Sequence, residues 1–188
     1  DERDVLLEYL WWDRKDLQLF EKLSEINFNA VTTPNFSLFL GECPFGQALN
    51  IKKSLVCGVE LEKLGMTVIP HIYSVHERQS ERWSNWLNNH PSVKTIAMNC
   101  QLQRKRKEDV RIVVTALRHL LLNTETRIIL HGGGDTILSP LEEFRERLHI
   151  ASSGILKKME ITKTIHEIKD RHLHPENNDM SEDSEPLI

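Results

Sequence analysis

The sequence predicts an α/β fold: repeated βα units around a parallel sheet of about five strands, arranged as a half-barrel, a partial TIM-like barrel or an open sheet. Short apolar or β-branched runs alternate with amphipathic stretches along the chain, the pattern of strands joined by crossover helices. Most runs are near-continuous hydrophobics, as strands covered on both faces should be. The segments following them are polar and often carry glycine or proline, as chain leaving a sheet does.

The runs are Asp4–Trp11, Phe28–Thr33, Met66–Tyr73, Val93–Met98 and Arg127–His131. The first fits a helix as well as a strand. Pro44 suits the first turn of a long helix in which Phe45, Ala48, Leu49, Val56 and Val59 form an apolar stripe, Gly58 is the weak point and Gly65 the stop. Trp83, Trp86 and Leu87 stand at i, i+3 and i+4, a helix face packed on the sheet. Val110, Val113, Val114, Leu117, Leu120 and Leu121 make the clearest helical stripe, with Arg111 and Arg118 opposite. Ser139, Pro140 and Glu142 provide a cap, a first-turn proline and a capping-box acid for a helix containing Phe144 and Leu148. Another helix is expected from Ser153 to about Arg171, and an acidic, disordered tail over 172–188, whose composition buries too little apolar surface to offset ordering entropy.

The 188 residues suit one α/β domain over 1–171 followed by that tail. With 39% apolar and 28% charged residues, the composition is that of a globular chain. No stretch supplies the roughly 20 apolar residues that span a bilayer, because Arg111, Arg118 and His119 interrupt the longest one. A net charge of −4 means that any contact with nucleic acid must be local. Cys43, Cys57 and Cys100 are an odd set without C-x-x-C spacing, which fits reduced thiols in the cytoplasm, and no secretory signal pattern is visible.

In parallel α/β folds the ends of the strands and the loops after them converge on one face, where ligands bind. Those positions hold Asn35 and Ser37, then Glu42; His71; Asn99 and Gln101, leading into Arg104, Lys105, Arg106 and Lys107; and His131, Gly132, Gly133, Gly134 and Asp135. The glycines would let backbone N–H groups approach a phosphate, and the four cations would attract it. Asn35, Ser37, Asn99 and Gln101 would orient it by hydrogen bonds, and His71, His131, Glu42 and Asp135 are the acid–base candidates. The glycines form neither a dinucleotide fingerprint nor a P-loop, and no G-x-S-x-G elbow supports a serine hydrolase. His71, Glu77 and His131 lack the spacing of a metal motif, so no metal set is assigned and no cofactor is identified.

Thr33-Pro34-Asn35-Phe36-Ser37-Leu38-Phe39, Asn50 in the next helix, Leu64-Gly65-Met66-Thr67-Val68-Ile69-Pro70 and the strand ending His131-Gly132 resemble the bacterial and phage family named domain of unknown function 4417. The resemblance covers roughly Trp11 to Gly134 and implies a barrel-type βα fold with no established reaction. Asn35 stands where the family carries an acid, Lys53 where it carries the arginine of an Asn-x-x-Arg pair with Asn50, and His131 where it carries tyrosine. The likeness thus implies roles for Asn50 and Lys53 in ligand binding, and an altered activity if the family's acid is catalytic.

Together these features lead us to expect a cytoplasmic protein that binds a phosphate-bearing ligand, nucleotide or nucleic acid, at its strand ends. By analogy with barrels of this type, a glycosylase or base-exchange enzyme is the most concrete form. The alternative is a non-catalytic accessory protein whose strand-end face and sheet edge dock a partner subunit or a second copy.

Overall fold

A computed structural model describes residues 2–38, 41–100 and 107–151. Its first compact unit ends at Ala151, so the helix expected from Ser153, the tail, and the segment holding Gln101 to Arg106 lie outside the described residues. The elements run α1 (Glu2–Asp13), α2 (Leu19–Ser24), β1 (Val31–Thr32), α3 (Pro44–Lys63), β2 (Val68–Ile69), α4 (Glu77–Asn89), β3 (Thr95–Asn99), α5 (Lys107–Asn123), β4 (Arg127–His131), α6 (Asp135–Leu138), a 3₁₀ segment (Ser139–Arg147) and β5 (Leu148–Ala151).

The α/β class holds, but among the described residues no single five-stranded sheet or barrel forms. The described residues make two parallel sheets, β1–β2 and β3–β4–β5. They are linked where β2 runs on: His71 bridges to Ala97, Ala97 N–H donates to the Pro70 carbonyl at 2.9 Å and Ile72 N–H to the Ala97 carbonyl at 2.8 Å. Pro70 has no N–H to give to a ladder, which keeps the pairing of β2 short.

Asp4–Trp11 is helix rather than strand: in α1, Leu7, Leu10 and Trp11 pack toward Phe20 and Phe36 while Val5, Leu6, Tyr9 and Trp12 face outward. The last strand comes from a region read as helix. A break at Leu141 (φ −122°, ψ 22°) leaves only 3₁₀ geometry after Ser139, and Leu148 enters β5 instead of continuing a helical stripe.

Helix α3 turns the expected stripe outward. Phe45, Leu49 and Val59 are exposed, and the inward face is Ser54, Cys57, Gly58 and Leu61, an i, i+3, i+4, i+7 set. Its small residues let the helix approach β1 closely: a Cβ on Gly58 would lie 2.9 Å from Thr33 Cγ2. Gly58 is the contact point of the helix, not its weak spot. Ser54 tolerates burial because its hydroxyl meets Thr33 Oγ1 at 2.8 Å. The expected start and stop both hold, with Pro44 in the first turn and Gly65 at φ +81° just past the end.

Helices α4 and α5 behave as their stripes predict. Trp83 and Leu87 from α4, with Val113, Leu117, Leu120 and Leu121 from α5, cover Ile96, Met98, Ile128 and Leu130 to form the main core. Burial pushes the Cys100 thiol of this core up to about 12 and that of Cys57, on the inward face of α3, up to about 11, whereas Cys43 is exposed at the cap of α3. Among the described residues no helix is long and apolar enough to cross a membrane.

Candidate functional site

Side chains alternate across a strand, so the residues between Ile96, Met98, Ile128 and Leu130 lie on the second face of the larger sheet. Register makes that face a lattice: Ala97 beside Ile129 and His149, then Asn99 beside His131 and Ala151. The bridge from His71 to Ala97 places His71 in the first row, and Tyr73 follows it two residues on. Arg127, His131, His149 and Ala151 are exposed, so the described residues leave this face open over β4 and β5. Small, buried Ala97 lies at its centre.

The structure therefore brings Asn99 and His131 side by side at the carboxyl ends of β3 and β4, with His71, two residues past β2, one row away. His71 is largely buried, and desolvation, reinforced by His131, pushes its imidazole down to about 4. Near neutral pH it is an uncharged ring, not a cation. Its backbone N–H donates to Thr33 Oγ1 at 2.8 Å, and its ring lies 5.3 Å from that of Tyr73.

The loop after β1 closes the other side. Asn35 donates to Tyr73 Oη at 3.2 Å, while Asn35 Oδ1 is buried without a protein partner. Asn50 donates to the Ser37 carbonyl at 2.9 Å. Asn35, Asn50, His71 and Tyr73 line a cavity of only about 10 Å³, room for a water-sized molecule and nothing larger. Lys53 Nζ is committed to Glu8, 2.7 Å from both carboxylate oxygens, and lies 5.4 Å from the Phe36 ring centroid. Asn35, Asn50, Ser37 and Lys53 thus tie the β1 loop to α1, α3 and Tyr73. A substrate-sized molecule does not fit within this cavity.

The glycine turn follows β4 directly. Gly132, Gly133 and Gly134 have φ of +84°, +104° and +70°, a run that residues with a Cβ rarely adopt. Gly132 N–H donates to the Ala151 carbonyl at 3.1 Å, so it helps to hold β5. Gly133 is buried, and a Cβ there would sit 3.5 Å from Ile137 and 3.7 Å from Cys100. The Gly134 carbonyl starts α6 by accepting from Ile137 and Leu138.

The carboxylate candidates are placed differently. Asp135 is exposed as the first residue of α6, next to the glycine turn. Glu42 stands in the turn before α3, where its carbonyl accepts from Gln47 and its Oε2 is buried without a hydrogen-bond partner. Lys107 is exposed at the start of α5; Gln101, Arg104, Lys105 and Arg106 lie outside the described residues. Among the described residues no three His, Cys, Asp or Glu side chains group closely enough to hold a metal ion.

Two further residues border this site: Tyr73, whose ring neighbours that of His71, and His149 on the open face. Tyr73 follows His71 in a run that the sequence reads as a strand, so it is visible there among the strand-end residues. His149 carries no such signal, because the pattern around Phe144 and Leu148 reads as helix. Against known proteins, no protein-family model, curated protein or solved structure matches the chain.

Proposed function

We propose that the chain binds a phosphate-bearing small molecule, a nucleotide or the end of a nucleic acid, over the open sheet face at its strand ends. The observation that carries this reading is the pair Asn99 and His131, side by side at the ends of β3 and β4 with His71 bridged to the same sheet at Ala97, and the glycine turn beginning one residue beyond His131. Asn99 and His131 orient the ligand, the half-buried Gly134 presents backbone to the phosphate, and Arg104 to Lys107 attract it by charge. If the ligand is turned over, His131 and Asp135 supply acid–base chemistry, with neutral His71 positioning by hydrogen bond; a nucleoside-directed glycosylase or base exchange is the form we favour. The likeness to the domain of unknown function 4417 family is part of the same proposal. The three free thiols support a reducing compartment such as the cytoplasm.

Calorimetric titration with AMP, ribose 5-phosphate and a short single-stranded DNA, at several salt concentrations, tests the reading. Saturable binding that weakens about tenfold or more in Asn99→Ala and His131→Ala, with melting unchanged, is the expected result. The reading fails if no phosphate compound binds at low salt, or if both variants bind like the parent.

A docking role is favoured by a different observation: Val5, Leu6, Tyr9 and Trp12 project from α1 with 49%, 69%, 60% and 71% of their surfaces exposed. A contiguous apolar patch of this kind marks contact surfaces. Sedimentation that depends on concentration, and ceases to in Trp12→Asp, supports a second copy as partner.

A further inference from the structure

Helices α3 and α4 do not close against each other along their whole length. Between them is a groove of about 550 Å³ whose floor and walls include Ala48, Ile51, Leu55, Trp83 and Trp86. The size is that of sites for small organic ligands, and it greatly exceeds the cavity beside Asn35. One end is bridged by Gln79 donating to Gln47 at 2.8 Å. Trp83 is fixed by donating its indole N–H to the Tyr73 carbonyl at 2.8 Å, and Trp86 meets it edge to face at 5.7 Å, so the aromatic wall is rigid.

The charge of the groove is one-sided. His76, Arg78 and Arg82 line it and no Asp or Glu does, although the chain as a whole carries a net charge of −4. Arg78 and Arg82 are one helical turn apart on α4 and exposed, and neither has an ion pair among the described residues. Two guanidinium groups above an apolar slot suit one kind of occupant: an anionic head at the rim and an apolar body inside.

We propose that the α3–α4 groove is a binding site for an amphipathic organic acid, a carboxylate or phosphate ester with an aliphatic or aromatic body. Arg78 and Arg82 hold the head, and Ile51, Leu55, Trp83 and Trp86 enclose the body. The groove shares Ile51 and Trp83 with the small cavity beside Asn35, but Asn99, His131 and the glycine turn do not line it.

The test is calorimetric titration of the full chain with dodecanoate, dodecanol and dodecyltrimethylammonium below their micelle concentrations. Dodecanoate is expected to bind saturably and at least tenfold more tightly than the other two. Arg78→Gln with Arg82→Gln should bring dodecanoate down to the affinity of dodecanol, and Ala48→Trp, which fills the groove from an exposed position, should abolish binding of both. Circular dichroism verifies that each variant is folded, and if Ala48→Trp is not, the arginine pair decides. Equal affinity for acid, alcohol and ammonium overturns the proposal. So does an arginine double variant that keeps full affinity, or a chain that ignores dodecanoate but captures an acidic amphipathic peptide.

Discussion

Over β3, β4 and β5 the chain stacks Trp83, Leu87, Leu117 and Leu120 on Ile96, Met98, Ile128 and Leu130, an apolar core without charged members. Around β1, by contrast, the corresponding cluster has four buried members, Phe20, Phe36, Cys57 and Leu61, and its surroundings are ionic. Arg14 joins Glu60 at 2.7 Å and lies 3.9 Å from the Trp11 ring centroid, and Lys53 joins Glu8. The difference follows from strand composition. Ile96, Met98, Ile128 and Leu130 offer apolar side chains to the helices above, whereas Thr33, just past β1, meets the small face of α3. One region is held by area removed from water, the other by close backbone approach and charge-assisted bonds.

The largest expected effect is on the apolar side. Ile128→Ala should cost about 3 to 4 kcal/mol in urea unfolding, while Leu61→Ala, in a cluster free to collapse against neighbouring side chains, should cost nearer 2 kcal/mol. Equal losses would erase the contrast between the regions.

Next is the pH response of the junction between the two sheets. His71 is held neutral to about pH 4 in the fold, against an ordinary value near 6.5 in the unfolded chain. Between those limits the unfolded state binds more protons, so stability is full above about pH 6.5 and is lost as pH falls toward 4, by at most about 3 kcal/mol. His71→Gln should flatten that part of the pH–stability curve, and a curve unchanged by the substitution would remove His71 from the account.

Arg14→Ala comes third, at about 1 to 2 kcal/mol, and raising salt should shrink the effect, since Glu60 is partly exposed. Smallest of all is Arg118→Ala. Its partners Glu143 and the Pro140 carbonyl are exposed, and chemical denaturation should register no more than about 0.5 kcal/mol.

Much of this contrast was legible from sequence, and unevenly so. The four runs beginning at Phe28, Met66, Val93 and Arg127 each coincide with a strand, the third ending one residue short of it at Met98, because runs of Val, Ile and Met leave few alternatives. The α5 stripe was equally plain. What misled was composition without partners. The apolar residues of 44–63 suggested an inward face, yet Phe45 and Leu49 point outward, because Thr33 needs Ser54 and Gly58 opposite it and that requirement lies in another segment. Likewise Leu148 fits a helix with Phe144 until β4 supplies a ladder. In the candidate site, His71 and His131 could be found by their place at strand ends. The small cavity beside Asn35 and the groove beside Trp83 depend on how helices pack, which no local pattern encodes.

The placement of the thiols also has a kinetic consequence. A disulfide reagent should modify exposed Cys43 at once, but Cys57 and Cys100 only in molecules whose surroundings have opened. Since Cys57 belongs to the cluster under α3 and Cys100 to the main core, their labelling rates are two separate clocks within one chain. Followed by mass spectrometry, they would time the breathing of the ionic and the apolar region side by side, with no substitution at all.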